Sequence, residues 1–351
     1  MMNVSEYTLL TGVLIANVYL LLAALLSRKD RWLQRWGIFP LMGLLLAGIV
    51  RLFCSVEFRF AQMVVRDKFF LPTLQRATHL EIGTLSDGSS FRVSALILFI
   101  WALVGMAFTV HFIVGHLLFW RQVHRARHTH DAEAYAMFAT LPGVTERHCK
   151  QVKIVQTDAV DVPMVTGFFR PVILLPFLSY SEQDLCYIIH HEWMHFKGKD
   201  VWIKLLVKIA FVIFWWNPWM PMFQRNINQA LELRCDSCVV AGFGAARRVS
   251  YLETILKIYK ESASKHSTKK MQMSFGLVQA FFGRGKKKDI KQRFCLVLDS
   301  KNEKSKKEKA IIAGFFLALA VTFLFSVILV VQPYTPPPSA VAHVHVELQK
   351  D

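Results

Sequence analysis

Acidic residues are scarce in this sequence. Its 25 aspartates and glutamates face 42 lysines and arginines, a formal charge of +17. Cysteine is sparse as well. The six cysteines (Cys54, Cys149, Cys186, Cys235, Cys238 and Cys295) follow no disulfide spacing, which excludes a disulfide-stapled secreted fold and suits a mostly cytoplasmic chain. No internal repeat is evident, and charged residues make up only 19%. What the sequence has instead is apolar bulk: 54% hydrophobic residues and a mean hydropathy of +0.34. That is high for a soluble globular protein and directs attention to long apolar runs.

Four runs can span a bilayer, which takes about 20 apolar residues. They cover residues 7–26, 36–53, 93–120 and 310–331. The first has no small-residue cleavage site and a second follows closely, so it reads as an anchor and not as a signal peptide. Lys and Arg in the flanks set the orientation. "SRKDRWLQRW" after the first run carries Arg28, Lys29, Arg31 and Arg35 against Asp30 alone. "RQVHRARH" after the third and "KNEKSKKEK" before the fourth are also basic. One topology satisfies all three: N-terminus outside, loop 55–92 outside, 121–309 in the cytoplasm, tail 332–351 outside. The expected fold class is a mainly α membrane protein of four transmembrane helices, with a cytoplasmic α+β domain between spans three and four. The net charge then reflects orientation and attraction to anionic inner-leaflet lipid. No direct nucleic-acid partner is expected, although lysines cluster at 286–288 and 304–309. The tail "YTPPPSAVAH" reads as extended.

Within 121–309, "QVKIVQT" alternates like a strand and "FFRPVILLP" is a second, bounded by Gly167 and Pro176. Ser181 and Asp184 have capping-box spacing and open a helix that runs through His195. That helix carries "HHEWMH", in which His191, Glu192 and His195 form an HExxH pattern. Helical residues i and i+4 lie about 40° apart around the axis, so both imidazoles face one side, as one Zn²⁺ requires. Glu192 is then placed to act as general base toward a water without being a ligand. A chance HExxH on a packed helix is the competing reading, so a third ligand decides. "NQALELRCDSCVV" offers Glu232 and Asp236, again i and i+4. Glu232 is assigned as the third metal ligand and Asp236 as the partner that orients a ligand imidazole. The bland alternative is a solvated acidic face.

Between them, 201–219 is almost wholly apolar and nearly long enough to cross the bilayer. A crossing would put His195 and Glu232 on opposite sides. The segment is therefore expected to be buried or to lie against the bilayer, with Lys204 and Lys208 toward headgroups and Asn217-Pro218 at its end. The strand "FFRPVILLP" is the candidate edge for pairing an extended substrate. Cys235 and Cys238 form a CxxC without a partner, which reads as helix packing. His124 and His128 share helical spacing in a basic run, and His111 and His116 fall within span three.

These residues together resemble the BlaR/MecR-type membrane zinc metallopeptidases, the signal transducers of β-lactam resistance. The resemblance rests on "RLFCSVEF", "VPMVTGFFRPVILLP", "HHEWMHFKGKD", "WWNPW" and "LELRCDSCVV" and runs from the first span through the fourth. It implies a cytoplasmic gluzincin-like domain, zinc on His191, His195 and Glu232, and Glu192 as base. It also implies a cytoplasmic protein substrate linked to a BlaI/MecI-like repressor, and self-cleavage before the last span. The β-lactam receptors of the family carry a penicillin-binding domain after span four. Only residues 332–351 follow here, with no SxxK to acylate. The signal is therefore expected from a separate sensor protein, from loop 55–92 or from the membrane. Two alternatives stand beside this reading: a quality-control zinc protease of HtpX or CAAX-processing type, and a non-catalytic signalling scaffold. The intact Glu192 argues against the scaffold.

Overall fold

The computed structural model describes residues 6–27, 38–53, 90–266, 286–298 and 305–333, short pieces at 2–3, 57–58, 63–67 and 80–84, and residues 29, 32, 36 and 73. The Pro-rich stretch 334–343 and the segment 299–304 before the last apolar helix lie outside the described residues. In chain order the helices are α1 (Glu6–Ser27), α2 (Phe39–Phe53) and α3 (Val93–Arg125). After strand β1 (His128–His130) come α4 (Ala132–Ala139), α5 (Glu146–Gln151), β2 (Lys153–Thr157), β3 (Met164–Thr166) and β4 (Val172–Pro176). Then follow α6 (Glu182–Lys197), α7 (Asp200–Ile213), α8 (Met220–Val239), α9 (Ala245–His266), α10 (Lys286–Leu298) and α11 (Lys306–Ile328).

Three of these, α1, α3 and α11, are long and apolar enough to cross a membrane. The second run of the sequence differs from expectation. Its helix α2 has 15 residues, about 22 Å at 1.5 Å per residue, short of a ~30 Å hydrocarbon core. Among the described residues there are thus three candidate spans and a shorter apolar helix, where the sequence suggested four spans.

The chain divides into two compact units, with boundaries inside the long helices. One comprises Met1–Tyr19, Leu46–Val104 and Leu317–Asp351. It contains three two-stranded pairings: Met2–Asn3 with Glu57–Phe58, Met63–Asp67 with Leu329–Pro333, and Glu81–Thr84 with Ser90–Arg92. Arg51, fully buried, donates to the Ser326 carbonyl at 3.1 Å there, which answers part of the cost of burying a guanidinium.

The other unit, Leu20–Leu45 with Gly105–Phe316, holds the sheet and helices α4 to α10. Its sheet runs β1-β2-β4-β3. β2 and β4 are parallel, while β1 and β3 pair antiparallel on the two flanks. This corrects the expectation for "FFRPVILLP". β4 is a central strand, and the edge next to it is β3. The reason is visible in its side chains. Ile173 and Leu175 face a core with Leu185, Ile188, Ile189 and Trp193 of α6, while Leu174 packs with Val123 and Val160 on the opposite face. A continuous apolar run is what a strand covered on both faces needs. Each such side chain stabilises by about 1.5–3 kcal/mol on burial. The turn from β3 to β4 uses Gly167 at φ +94, where a side chain would be strained.

Helix α6 starts as the sequence predicts. The Ser181 hydroxyl accepts from the Asp184 N–H at 3.1 Å, and the Ser181 N–H donates to the Asp184 carboxylate at 3.3 Å. It ends at Gly198, and Lys199 takes the left-handed conformation (φ 57) that lets α7 begin at once with Asp200. Helix α7 stops at Ile213, earlier than Asn217-Pro218. That pair instead forms the turn into α8, where the Asn217 side chain accepts from the Trp219 N–H at 3.1 Å. His124 ends up in α3 and His128 in β1, so they do not share one helix face.

Candidate metal centre

Helix α6 packs on α8 and both meet α7, while α9 packs on α6 and α10 on α8, around one cluster of ionisable side chains. The 3.6-residue period puts His191 and His195 on one side of α6, and Glu232 and Asp236 on one side of α8. The Nε2 atoms of His191 and His195 lie 3.0 Å apart. The two Glu232 carboxylate oxygens approach them at 3.6 Å each. Glu232 keeps 35% of its side chain exposed, while its carboxylate is hemmed in by the two rings and Arg293.

The hydrogen bonds around the cluster decide which ring nitrogens are free. The Nδ1 of His195 sits 2.6 Å from Asp200 Oδ2, and a carboxylate can only accept. His195 therefore carries its proton on Nδ1. The Tyr251 hydroxyl donates to Asp236 Oδ1 at 2.7 Å, so its oxygen accepts from His191 Nδ1 at 2.9 Å. Asp236 Oδ1 lies 3.4 Å from the same Nδ1. Both imidazoles thus turn an Nε2 lone pair toward one point that also faces a carboxylate. Three acceptors converge with no donor of their own between them. A cation fits that arrangement, and two imidazoles with one carboxylate are the donor set of a catalytic zinc site.

The electrostatics agree. Burial works to lower His195, but the Glu232 carboxylate and the hydrogen bonds it makes to Asp200 and Cys235 outweigh it and raise it well above an ordinary imidazole. Burial works to raise Glu232, yet His195, His191 and Arg293 hold it well below the usual carboxylate range. The centre draws positive charge to itself. His190, next in sequence, is pushed down to about 4 by burial and by His191, Arg247 and Lys197.

Asp236 was expected to orient an imidazole. It lies against His191, and Tyr251 is the intermediary with the shorter contact. Four partners were not legible in the motif. Asp200 orients His195 and is itself ion-paired with Arg234. Arg293, from α10, meets Asp236 with Nε at 2.6 Å and Nη2 at 2.7 Å, and Glu232 with Nη1 at 3.3 Å. Tyr251 comes from α9. The signal for Asp200 was present in "HFKGKD": a glycine stop followed at once by an acid. Nothing local marks Tyr251 or Arg293, which arrive from 60 and 57 residues away from their partners His191 and Asp236.

Glu192 is buried (7% exposed) on α6 beside His191. A second cluster, His195, Asp200 and Cys235, uses the far side of the His195 ring, with Cys235 Sγ at 3.2 Å from Nδ1 and 3.6 Å from Asp200. Burial pushes the Cys235 thiol up, and Arg234 already balances Asp200. Cys235 is therefore a packed neutral thiol, as the packing reading of the CxxC expects, while Cys238 is exposed and departs from it; both are free.

The profile of the BlaR1 peptidase M56 family matches residues 73–297, well over half of the chain. The chain belongs to this family. Among its relatives are the regulatory protein BlaR1 of Bacillus licheniformis, 21% identical over 176 residues, 50% of this chain and 29% of that protein. The methicillin resistance mecR1 protein of Staphylococcus aureus strain Mu50 is 30% identical over 111 residues, 31% of this chain and 19% of that protein. The BlaR1 of Staphylococcus aureus is 26% identical over 110 residues, 30% and 19% of the two chains. The match thus spans less than a third of these relatives' own length. By family the chain is of the BlaR/MecR type, and three of its described helices are long and apolar enough to cross a membrane.

Proposed function

We propose that the chain is a zinc-dependent endopeptidase whose domain 121–309 faces the cytoplasm. In this reading it relays a signal by cleaving a cytoplasmic protein, a repressor of the BlaI/MecI kind. The single observation that carries the chemistry is the convergence of the His191 and His195 Nε2 atoms with the Glu232 carboxylate, with Glu192 buried next to His191 in the chain. His191, His195 and Glu232 would hold the ion, which when bound supplies Lewis acidity toward water and a peptide carbonyl. Glu192 takes the proton of the attacking water and returns it to the departing amine. Asp200, and Tyr251 with Asp236, keep the two imidazoles in the tautomer that faces the centre. Strand β3, the sheet edge that packs beside α6, offers its outer side to an extended peptide. The regulatory role is supported by the relatives' names, "regulatory protein" and "methicillin resistance". The cytoplasmic side is supported by the basic flanks of the apolar helices.

The test uses purified full-length chain in detergent or nanodiscs. Glu192→Gln should keep stoichiometric zinc and lose cleavage of a repressor-type substrate by at least a hundredfold, as removal of a general base does. Unchanged proteolysis in Glu192→Gln would refute its role. Full zinc retention in both His191→Ala and Glu232→Ala would refute the ligand set.

A further inference from the structure

Helix α7 has an outward face with the wrong chemistry for water. Trp202, Leu206 and Ile209 recur at i, i+4 and i+7, and are 41%, 40% and 45% exposed. Trp216 beyond the helix is 51% exposed. A surface helix in water turns polar residues outward. From Ile209 to Phe223 there is no charged side chain, and Lys208 and Arg225 bracket the stretch.

The other face of α7 says what medium this is. It lies along α3, an apolar helix long enough to cross a bilayer. Phe211 meets Phe108 and Phe112 at ring distances of 5.3 and 6.2 Å. A Cβ on Gly105 would lie 3.5 Å from the Val212 carbonyl. Rising numbers on α7 meet falling numbers on α3, so the two run antiparallel. Lys208 sits over the Phe112 ring at 5.5 Å. Arg92 precedes α3, and about 20 residues, or 30 Å of helix, separate Val93 from Phe112. Lys208 therefore marks one hydrocarbon boundary. From there α7 and its turn continue about 12 Å along α3, inside the apolar layer.

The turn is built for that depth. Backbone groups in hydrocarbon must be satisfied within the protein. Asn217, buried, accepts from the Trp219 N–H, its own N–H reaches the Phe214 carbonyl at 2.9 Å, and its carbonyl accepts from Met220 at 3.1 Å. Pro218 and Pro221 have no N–H to satisfy.

We infer that α7 and the turn 214–219 form a re-entrant hairpin that dips into one leaflet beside α3 and returns through α8, with lipid acyl chains covering Leu206 at the boundary, Ile209 and Trp216, and with Trp202, packed on Phe168 and Phe169, at headgroup level. This keeps Asp200 and Glu232, before and after the hairpin, on one side of the membrane. It also fixes the candidate metal centre at a set height above the lipid surface. The inference rests on α3 crossing the bilayer, and not on proteolysis.

The experiment reconstitutes the full chain into phosphatidylcholine–phosphatidylglycerol nanodiscs containing a lipid with a diazirine in its acyl chain. After photolysis, mass spectrometry maps the adducts. Adduct density on 206–216 should match that on 93–112 and exceed that on exposed helix α4 by about tenfold, as burial in hydrocarbon predicts. Labelling of 206–216 at the α4 level, with α3 labelled, overturns the hairpin. So do protein–protein adducts at Leu206 or Ile209 in place of lipid, which would mean a second copy covers the face. An unlabelled α3 removes the premise and the hairpin with it. Glu192→Gln should label like wild type, so a failed catalytic reading and a failed insertion are read separately.

Discussion

Replacing Asp200 by Asn changes one oxygen to NH₂ in a buried site and almost nothing else in volume. Asp200 is 1% exposed. One of its oxygens accepts from His195 Nδ1 at 2.6 Å, and the other is ion-paired with the Arg234 guanidinium. Both neighbours are donors, and a carboxylate can serve both. An asparagine offers one acceptor and one donor. If its oxygen turns to His195, its NH₂ faces Arg234, and a buried charge loses its partner. If its NH₂ turns to His195, Nδ1 must accept, the ring proton moves to Nε2, and the lone pair aimed at the metal point disappears. Either outcome is costly, and the second abolishes a ligand. Loss of a partner that orients a metal-bound imidazole typically weakens the metal by 10–100-fold, about 1.4–2.7 kcal/mol. The donor–donor conflict places Asp200→Asn near the upper end, roughly 100-fold. The assay is zinc content after equilibrium dialysis against graded chelator buffers, with thermal unfolding as the fold control. Asp236→Asn is the comparison. Its oxygen lies 3.4 Å from His191 and acts mostly through Tyr251, so its effect on zinc should be about tenfold. Zinc affinity of Asp200→Asn within about threefold of wild type, with unchanged melting, would sink the tautomer argument.

Arg293→Gln leaves Asp236 and Glu232 without the guanidinium that both meet, and breaking a buried pair this way costs about 3–5 kcal/mol. Because a bound cation replaces part of the lost charge, melting should fall further in chelator than with zinc, and an equal fall in both would contradict the shared-charge account. Asp184 is held below the usual carboxylate range: burial opposes this, and hydrogen bonds from Thr254, Lys257 and Ser181 prevail. A depressed folded pKa contributes stability above the unfolded value near 3.8 that is lost as pH falls below it. Hydrogen exchange at the start of α6 should therefore quicken below about pH 4, and Asp184→Asn should flatten that dependence. Gly167→Ala puts a side chain at φ +94 against the Arg170 carbonyl and should cost about 1–3 kcal/mol by chemical denaturation; a smaller loss would mean the β3–β4 turn relaxes freely.

The parts of the fold that were legible in the sequence are those written in local periodicity. The capping box at Ser181, the helix through His195, the strand in "QVKIVQT" and the i, i+4 pair Glu232 and Asp236 all depend on residues within a turn or two of each other. "FFRPVILLP" was legible as a strand but not in its place. Whether a strand is central or at an edge depends on what covers its second face, and here that is Val123 and Val160, far away in sequence. The same limit hid Tyr251 and Arg293. A tyrosine or arginine on an amphipathic helix looks alike whether it meets solvent or a buried carboxylate. Asp200 lies between these cases. It stands next to the motif, but only the left-handed Lys199 after Gly198 turns its side chain back to His195.

The segment between the two halves of the centre shows how a global constraint can replace missing local information. Its composition alone allowed a further crossing within the domain, since 201–219 is almost wholly apolar and nearly long enough to span. The chemistry of HExxH excluded that, since ligands of one ion share one side of a membrane. The helix agrees through its length: α7 has 14 residues, about 21 Å, too short to cross. Yet its exposed Leu206 and Ile209 suit neither a solvated surface nor a packed core. A helix that must return, cannot cross and is apolar on its outer side has one consistent arrangement beside α3: it enters the lipid and comes back. The metal chemistry and the membrane chemistry thus constrain the same few residues. A charged substitution at Ile209 should therefore disturb zinc occupancy less than it disturbs association with lipid.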